Sequence, residues 1–110
     1  MIGIIIPTFR EKENILKLSK KLLKLHPNCL IFIVDDTKEY NLKNYFKDKK
    51  KITYIYRKNK KGRGSAVIEG FKKAYLSNKI KIFVEMDADF SHEPRELKNN
   101  INKFKNMNLD

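Results

Sequence analysis

Three carboxylates occupy alternate positions in the stretch VEMDADFSHEP, which covers positions 84–94. If the apolar run before them continues as a strand, Glu85, Asp87 and Asp89 share one face. They would then lie about 7 Å apart, which is twice the rise per residue. At that distance two unit charges repel each other by roughly 2 kcal/mol at an effective dielectric constant of about 20. The acids are therefore either solvated in a loop or arranged around a positive group.

Asp87 and Asp89 form an Asp-x-Asp pair at the point where a strand becomes a loop. Mg²⁺ and Mn²⁺ prefer oxygen ligands, and Mg²⁺ is commonly held by one or two carboxylates together with substrate phosphates. A cation between these carboxylates would also relieve their repulsion. Because the pair alone occurs by chance, a solvated acidic loop is the alternative, but the position after a buried strand favours a metal site.

Four runs of apolar residues recur along the chain, and they predict the strands. They occupy positions 2–7, 30–36, 52–56 and 80–87. The first, second and fourth are nearly continuous and rich in Ile and Val, which is typical of parallel strands covered on both faces.

Apolar stripes at helical spacing lie between and after these runs. In chain order their members are Ile15, Leu18, Leu22 and Leu25, then Val67, Ile68, Phe71, Ala74 and Tyr75, then Leu97, Ile101 and Phe104. Asn78 would close the second helix and Pro94 would begin the third. LKNYF, in the polar stretch 37–50, predicts a further helical turn or two. The alternation of strands and helices predicts a parallel α/β sheet with right-handed crossovers.

Ligands of such sheets bind beyond the carboxyl ends of the strands. The predicted strand ends carry Pro7-Thr8-Phe9, Asp35-Asp36, the basic stretch 57–64 and Asp87-Ala88-Asp89. These groups converge on one rim of the sheet. Asp35 and Asp36 are either turn formers, or one of them accepts hydrogen bonds from a base or a ribose.

Residues around two helix starts have structural as well as ligand-binding interpretations. TFRE fits a capping box, in which Thr8 caps the helix and the side chain of Glu11 bonds back to the backbone N–H of Thr8. In the alternative interpretation, Glu11 lies at the rim near a nucleotide base. In RKNKKGRGSA, Gly62 and Gly64 allow a tight turn, and Gly64 or Ser65 would cap the next helix. The cations of this stretch either attract a diphosphate to the helix start or form a mobile basic loop.

The composition narrows the class of protein. The sequence has one cysteine, Cys29, so an internal disulfide is excluded and a reducing compartment is expected. No apolar run approaches the roughly 20 residues that cross a bilayer, and MIGIIIP is not expected to be a signal peptide. The net charge of +12 suits nucleic acid, an anionic membrane or an anionic substrate. However, the excess of Lys over Arg favours a compositional bias over a dedicated phosphate reader.

The segments IIIPTFREKENI, IVDD, KGRGSAVIEGFKKA and VEMDADFSHEP together resemble the N-terminal half of family 2 glycosyltransferases of the GT-A fold. The likeness is strongest to the dolichol-phosphate (polyprenyl-phosphate) mannosyltransferases. Phe9 stands where these enzymes usually have Tyr, and Arg10 stands where Asn is common. The resemblance implies a three-layer, mostly parallel, Rossmann-like fold, truncated relative to the family.

The resemblance also implies roles for the matching positions. The residues expected to line the pocket for the base and ribose are Pro7, Phe9, Glu11, Val34 and Asp36. Asp87 and Asp89 match the Asp-x-Asp motif, and Asp89 would be the catalytic residue that meets the metal. Ala88 would touch the nucleotide through its backbone, and Ser91 falls where relatives carry a polar residue of the metal shell.

The implied function is the binding of a nucleotide-sugar, GDP-mannose or a UDP-sugar, through Mg²⁺ or Mn²⁺. The sugar would be transferred to a polyprenyl phosphate at the cytoplasmic face of a membrane, by a cytoplasmic or peripheral protein. Because family members continue well beyond this length, residues 1–110 are expected to be one N-terminal nucleotide-sugar-binding portion. This portion would be inactive alone, with a second chain as one source of the missing half, and would bind no specific nucleic acid. The alternatives are a basic nucleic-acid-binding module and an inactive remnant.

Overall fold

Four parallel strands and three helices make up the part of the chain that the computed structural model describes, residues 1–59 and 62–88. The elements are β1 (Ile2–Thr8), α1 (Lys12–Leu25), β2 (Cys29–Asp35), α2 (Lys43–Phe46), β3 (Ile52–Tyr56), α3 (Arg63–Tyr75) and β4 (Ile82–Glu85). The strand order is β3-β2-β1-β4, and every pairing is parallel. The predicted α/β sheet is confirmed. The helix predicted after Pro94 lies outside the described residues.

The sheet is covered on both faces, which explains why its central strands are apolar throughout. On one face, Ile4 and Ile33 belong to a core that includes Leu18 and Leu22 of α1 and Phe46 of α2. Successive residues of a strand point to opposite faces, so the neighbours of these strand residues meet α3. That second core contains Ile5, Phe32, Ala74 and Ile80. The result is a three-layer α/β/α arrangement.

The packing of α3 differs from the prediction made from its apolar stripe. Ala66, Gly70 and Ala74 are the buried residues, whereas Ile68, Phe71 and Tyr75 are exposed. A Cβ atom at Gly70 would lie only 2.6 Å from Cγ2 of Ile5. The helix approaches the sheet so closely that small residues form its inner face. The prediction that the large residues of the stripe face the core was therefore wrong.

The helix ends also correct the predictions. Thr8 is the last residue of β1, and α1 begins at Lys12 with Glu11 at its N-cap and no side-chain hydrogen bond at the cap. The predicted capping box is therefore absent. Helix α3 is capped by Gly62, whose φ of 116° suits glycine, and it ends at Tyr75, before Asn78. Among the described residues, no helix is long and apolar enough to span a membrane.

Candidate functional site

A cavity of about 530 Å³ opens at the carboxyl-end rim of the sheet. It lies beyond the ends of β1, β2 and β4 and beside the start of α3. Its lining residues are Pro7, Thr8, Phe9, Glu11, Asp36, Gly62, Arg63, Ala66, Asp87 and Ala88. The floor is held by backbone hydrogen bonds that extend the strand pairing, from Asp36 N to Thr8 O (3.1 Å) and from Arg57 N to Asp35 O (2.9 Å). The cavity therefore stands on a fixed framework.

Asp36 is held in the cavity wall by Arg57. Arg57 Nε donates to Asp36 Oδ1 (2.6 Å) and Nη2 donates to Oδ2 (2.7 Å), with the two side chains 3% and 6% exposed. The guanidinium also donates to Ser65 Oγ (2.7 Å) and to the carbonyl oxygen of Gly62 (3.2 Å). The hydrogen bond with Asp36 raises the pKa of Arg57, so its charge is fixed. One buried cation thus ties the end of β2 to the start of α3.

Asp35 belongs to the scaffold beneath the cavity. It accepts hydrogen bonds from the hydroxyl of Tyr54 at Oδ2 (2.5 Å) and from the backbone N–H of Thr37 at Oδ1 (3.0 Å). The same hydroxyl accepts a bond from the N–H of Leu42 (3.1 Å). Burial, followed by the hydrogen bond to Asp35, raises the pKa of Tyr54. Of the two predicted alternatives for Asp35, the structure supports the local structural one.

Arg63, the first residue of α3, lies between Glu85 and Asp87, two of the three alternating carboxylates at positions 85, 87 and 89. It donates from Nε and Nη2 to Asp87 Oδ1, at 3.1 and 2.7 Å, and from Nη2 to Glu85 Oε2 at 3.1 Å. These hydrogen bonds, first to Asp87 and then to Glu85, raise the pKa of Arg63. Of the two predicted arrangements, solvated acids or acids around a positive group, the structure shows Glu85 and Asp87 around the guanidinium of Arg63.

The loop after β1 brings an exposed aromatic ring and a carboxylate to the same rim. Phe9 is exposed, and the guanidinium carbon of Arg10 lies 4.8 Å from the centre of its ring. Glu11 accepts a hydrogen bond from Asn14 Nδ2 (2.7 Å), which orients its carboxylate. Thr8 Oγ1 is buried without a hydrogen-bond partner. This side of the cavity offers a flat apolar face and fixed acceptors.

Comparisons with known proteins identify the family. The sequence model described as Glycosyl transferase family 2 matches residues 3–110. The chain belongs to glycosyl transferase family 2. It is 34% identical over 110 residues to a dolichol-phosphate mannosyltransferase of Pyrococcus furiosus, covering 96% of this chain and 30% of that protein.

Two further relatives show the same pattern of coverage. A polyprenol monophosphomannose synthase of Mycolicibacterium smegmatis is 33% identical over 99 residues, which cover 86% of this chain and 37% of the relative. An uncharacterised protein of Methanocaldococcus jannaschii is 33% identical over 111 residues, which cover 96% of this chain and 48% of the relative. The chain therefore spans less than half the length of these curated relatives.

Six of the positions singled out by the family resemblance line the one cavity. They are Pro7, Phe9, Glu11, Asp36, Asp87 and Ala88. Val34 does not line it, because its side chain is buried in the sheet, where a Cβ atom at Gly70 would lie 3.1 Å from Val34 Cγ2. Asp89 and Ser91 lie outside the described residues. Nucleotide contacts at all these positions remain predictions.

Four cavity residues were not among the predicted binding residues: Thr8, Gly62, Arg63 and Ala66. Arg57, which holds Asp36 from behind, was not singled out either. The sequence places Thr8 at the rim but assigns it only a helix-capping role, and it assigns Arg63 only to a basic stretch. A charged residue that directly follows a strand, as Arg57 follows β3, is the one signal that could have identified the clamp.

The carboxylates at the end of β4 fit a hard divalent cation in their chemistry. Asp87 lines the cavity, and Glu85 shares the guanidinium of Arg63 with it. One or two carboxylates combined with phosphate oxygens are the ligands Mg²⁺ takes in phosphate-binding proteins. Within residues 1–59 and 62–88 no group of three His, Cys, Asp or Glu side chains converges on one point. A cation here would therefore need oxygens from the ligand or from the remaining part of the chain.

Proposed function

We propose that this family 2 domain binds a nucleotide-sugar in the rim cavity, with a divalent cation, for transfer of the sugar to a polyprenyl phosphate. The observation that carries the proposal is the convergence of Phe9, Glu11, Asp36 and Asp87 from three chain segments on one cavity. The acceptor class is inferred from relatives named as a dolichol-phosphate mannosyltransferase and a polyprenol monophosphomannose synthase. GDP-mannose is the donor we propose on the same ground.

The cavity residues divide the work of binding. The exposed ring of Phe9 offers a stacking surface for a base, and Glu11 and Asp36 are fixed acceptors for base or ribose hydrogen bonds. Because Arg57 holds Asp36 at both oxygens, the acceptor is oriented before the ligand arrives, which lowers the entropic cost of binding.

Asp87, with Asp89 of the same motif, would hold the cation. When bound, the cation would neutralise the diphosphate and stabilise it as the leaving group by Lewis-acid chemistry. This chain's own contribution is to place Asp87 at the cavity edge, one residue beyond Met86, whose N–H is anchored to Ile5 O (2.9 Å).

Calorimetric titration of the 110-residue chain with GDP tests the proposal. GDP should bind at least about tenfold more tightly with Mn²⁺ than with EDTA, because the cation shields the diphosphate from the acidic rim. Asp87→Asn should remove most of that difference. Asp48→Asn, which removes an exposed acid elsewhere, is the matched control and should retain it.

Equal GDP affinity with Mn²⁺ and with EDTA in the unaltered chain would contradict the cation site. UDP in parallel titrations decides between the proposed donor and the UDP-sugar alternative. Single-stranded DNA is the probe for the nucleic-acid alternative, and we expect only weak binding that disappears as salt is raised. Nanomolar, sequence-selective DNA binding would overturn the proposed function.

A further inference from the structure

One guanidinium bridges two carboxylates at the edge of the cavity. Arg63 Nη1 lies 3.1 Å from Glu85 Oε1, Nη2 lies 3.1 Å from Glu85 Oε2, and Nη2 lies 2.7 Å from Asp87 Oδ1. Glu85 and Asp87 are two residues apart, so without a cation between them their charges would repel. Arg63 thus forms ion pairs with both acids in this structure.

This bridge is built differently from the clamp at Asp36. The side chains of Arg63, Glu85 and Asp87 are 53%, 35% and 31% exposed, against 3% and 6% for Arg57 and Asp36. Exposed ion pairs contribute little net stability, because water solvates the separated charges nearly as well. The fold therefore does not depend on the bridge, and a ligand can break it at low cost.

Both ends of the bridge face the proposed ligand. Arg63 and Asp87 line the same cavity, the first from the start of α3 and the second from the end of β4. A divalent cation would compete with the guanidinium for Asp87. A diphosphate would compete with Asp87 for the guanidinium, whose planar fork matches phosphate oxygens.

We propose that Arg63 is an exchangeable counter-ion that leaves Asp87 when a cation binds there and turns to the diphosphate of the nucleotide. This inference rests on the proposed function, because it assigns Arg63 to the nucleotide of that site. A cation binding alone must displace the guanidinium, and a nucleotide binding alone must approach unshielded acids. When both bind, the cation replaces the guanidinium beside Asp87 and the guanidinium pairs with the diphosphate, so each strengthens the binding of the other by the same factor.

Arg63→Gln tests the exchange, and Lys72→Gln is its matched control. Lys72 is an exposed cation on the same helix, away from the cavity, so its variant removes the same charge without touching the bridge. The first measurement is the binding of Mn²⁺ alone, monitored through the electron paramagnetic resonance signal of the free ion. The second is calorimetric titration with GDP, in EDTA and in saturating Mn²⁺.

In Arg63→Gln we expect Mn²⁺ alone to bind severalfold more tightly, because its competitor for Asp87 is gone. GDP with saturating Mn²⁺ should bind about tenfold more weakly, because the diphosphate has lost its cation. Lys72→Gln should keep the values of the unaltered chain, and both variants should melt within a few degrees of it.

A second variant is expected to raise the affinity for GDP, whereas Arg63→Gln is expected to lower it. Glu85→Gln removes one of the two carboxylates that hold Arg63 and keeps Asp87. GDP in EDTA should then bind more tightly than in the unaltered chain, because the guanidinium is released more easily and the rim is less acidic. A weaker GDP affinity in this variant would overturn the exchange.

The failures of the two proposals can be told apart. If the unaltered chain binds no GDP, the proposed function fails, and the diphosphate half of the exchange fails with it. If GDP binds but Arg63→Gln leaves its affinity with Mn²⁺ unchanged, only the exchange is overturned. If Mn²⁺ alone binds no more tightly to Arg63→Gln than to the unaltered chain, Arg63 does not compete for Asp87 and the inference is wrong.

Discussion

Replacing Arg57 should be among the most destabilising single changes in this chain. Arg57→Met removes two hydrogen bonds to Asp36, of 2.6 and 2.7 Å, and leaves that carboxylate buried without its counter-ion. Breaking a buried ion pair in this way costs about 3–5 kcal/mol, because the remaining charge has lost both water and partner. Met fills much of the same volume, so the loss reports charge and hydrogen bonding more than packing.

This loss in the free energy of unfolding can be converted into a change in melting temperature. One kcal/mol shifts the melting temperature of domains near this length by about 3–6 °C, so a loss of about 3–5 kcal/mol corresponds to roughly 9–30 °C. Arg57 also donates to Ser65 and to the carbonyl of Gly62, so the change should loosen the start of α3 as well. The expected loss therefore lies towards the upper part of that range.

Urea unfolding followed by circular dichroism measures the free energy. A double-mutant cycle with Asp36→Asn should give a coupling of about 2 kcal/mol or more between the two side chains, since they are in direct contact. Arg10→Met is the matched control, because Arg10 pairs with Glu39 while both are exposed, and it should cost no more than about 1 kcal/mol. If Arg57→Met costs no more than the control, Asp36 is not held by a buried charge clamp.

Two further changes test the framework beneath the cavity. Burial and the hydrogen bond to Asp35 raise the pKa of Tyr54 above its ordinary value of about 10. The stabilisation from the hydroxyl proton of Tyr54 is therefore complete below about pH 10 and is lost as the pH rises through the pKa of the folded state. In urea unfolding at a series of alkaline pH values, Tyr54→Phe should lack this loss of stability. If the free energy of unfolding falls equally with pH in both proteins, the assignment is contradicted. Gly70→Ala should lower the free energy of unfolding, because the clash with Ile5 at 2.6 Å costs about 1–3 kcal/mol, more than the gain of up to about 1 kcal/mol in helix propensity. Gly64→Ala, where no atom lies within 4 Å of the added Cβ, should be neutral or stabilising in the same assay.

The sheet was predictable from the sequence because its signal is local. Continuous runs of Ile and Val can be buried on both faces only in a covered parallel sheet, and all four runs became strands. The fourth run extends over positions 80–87, but β4 covers only Ile82–Glu85. β4 ends at Glu85, the last residue that pairs with β1. The apolar residues of one run do not show where its pairing with another strand ends.

The orientation of α3 could not be predicted in the same way. Its large apolar residues form a stripe at helical spacing, and a stripe is ordinarily the buried face. The distance between helix and sheet decided otherwise, because Gly70 lies where a side chain would collide with Ile5. That distance depends on side chains from two separate elements, so the residues of the helix alone do not specify it.

The rim was predictable as a place but not as a set of contacts. Topology requires the strand ends to meet, so Asp36 and Asp87 could be brought together from sequence alone. The partners of these acids could not be found, because Arg57 lies 21 positions from Asp36 and Arg63 lies 24 positions from Asp87. Arg57 is distinguished only by its position directly after β3, and nothing in the local sequence distinguishes Arg63 from the neighbouring lysines.

The two arginines also explain how a strongly basic chain can keep a selective acidic rim. A net charge of +12 attracts polyanions of every kind towards the protein. Asp36 does not oppose this attraction, because the buried guanidinium of Arg57 neutralises it permanently. Glu85 and Asp87 are paired with the exposed guanidinium of Arg63, so an anion that draws Arg63 away removes a positive charge from two acids beside itself. An anion that arrives with a divalent cation replaces the positive charge that Arg63 withdraws from these acids, and we therefore expect the cavity to favour metal-bound diphosphates over the phosphates of nucleic acid.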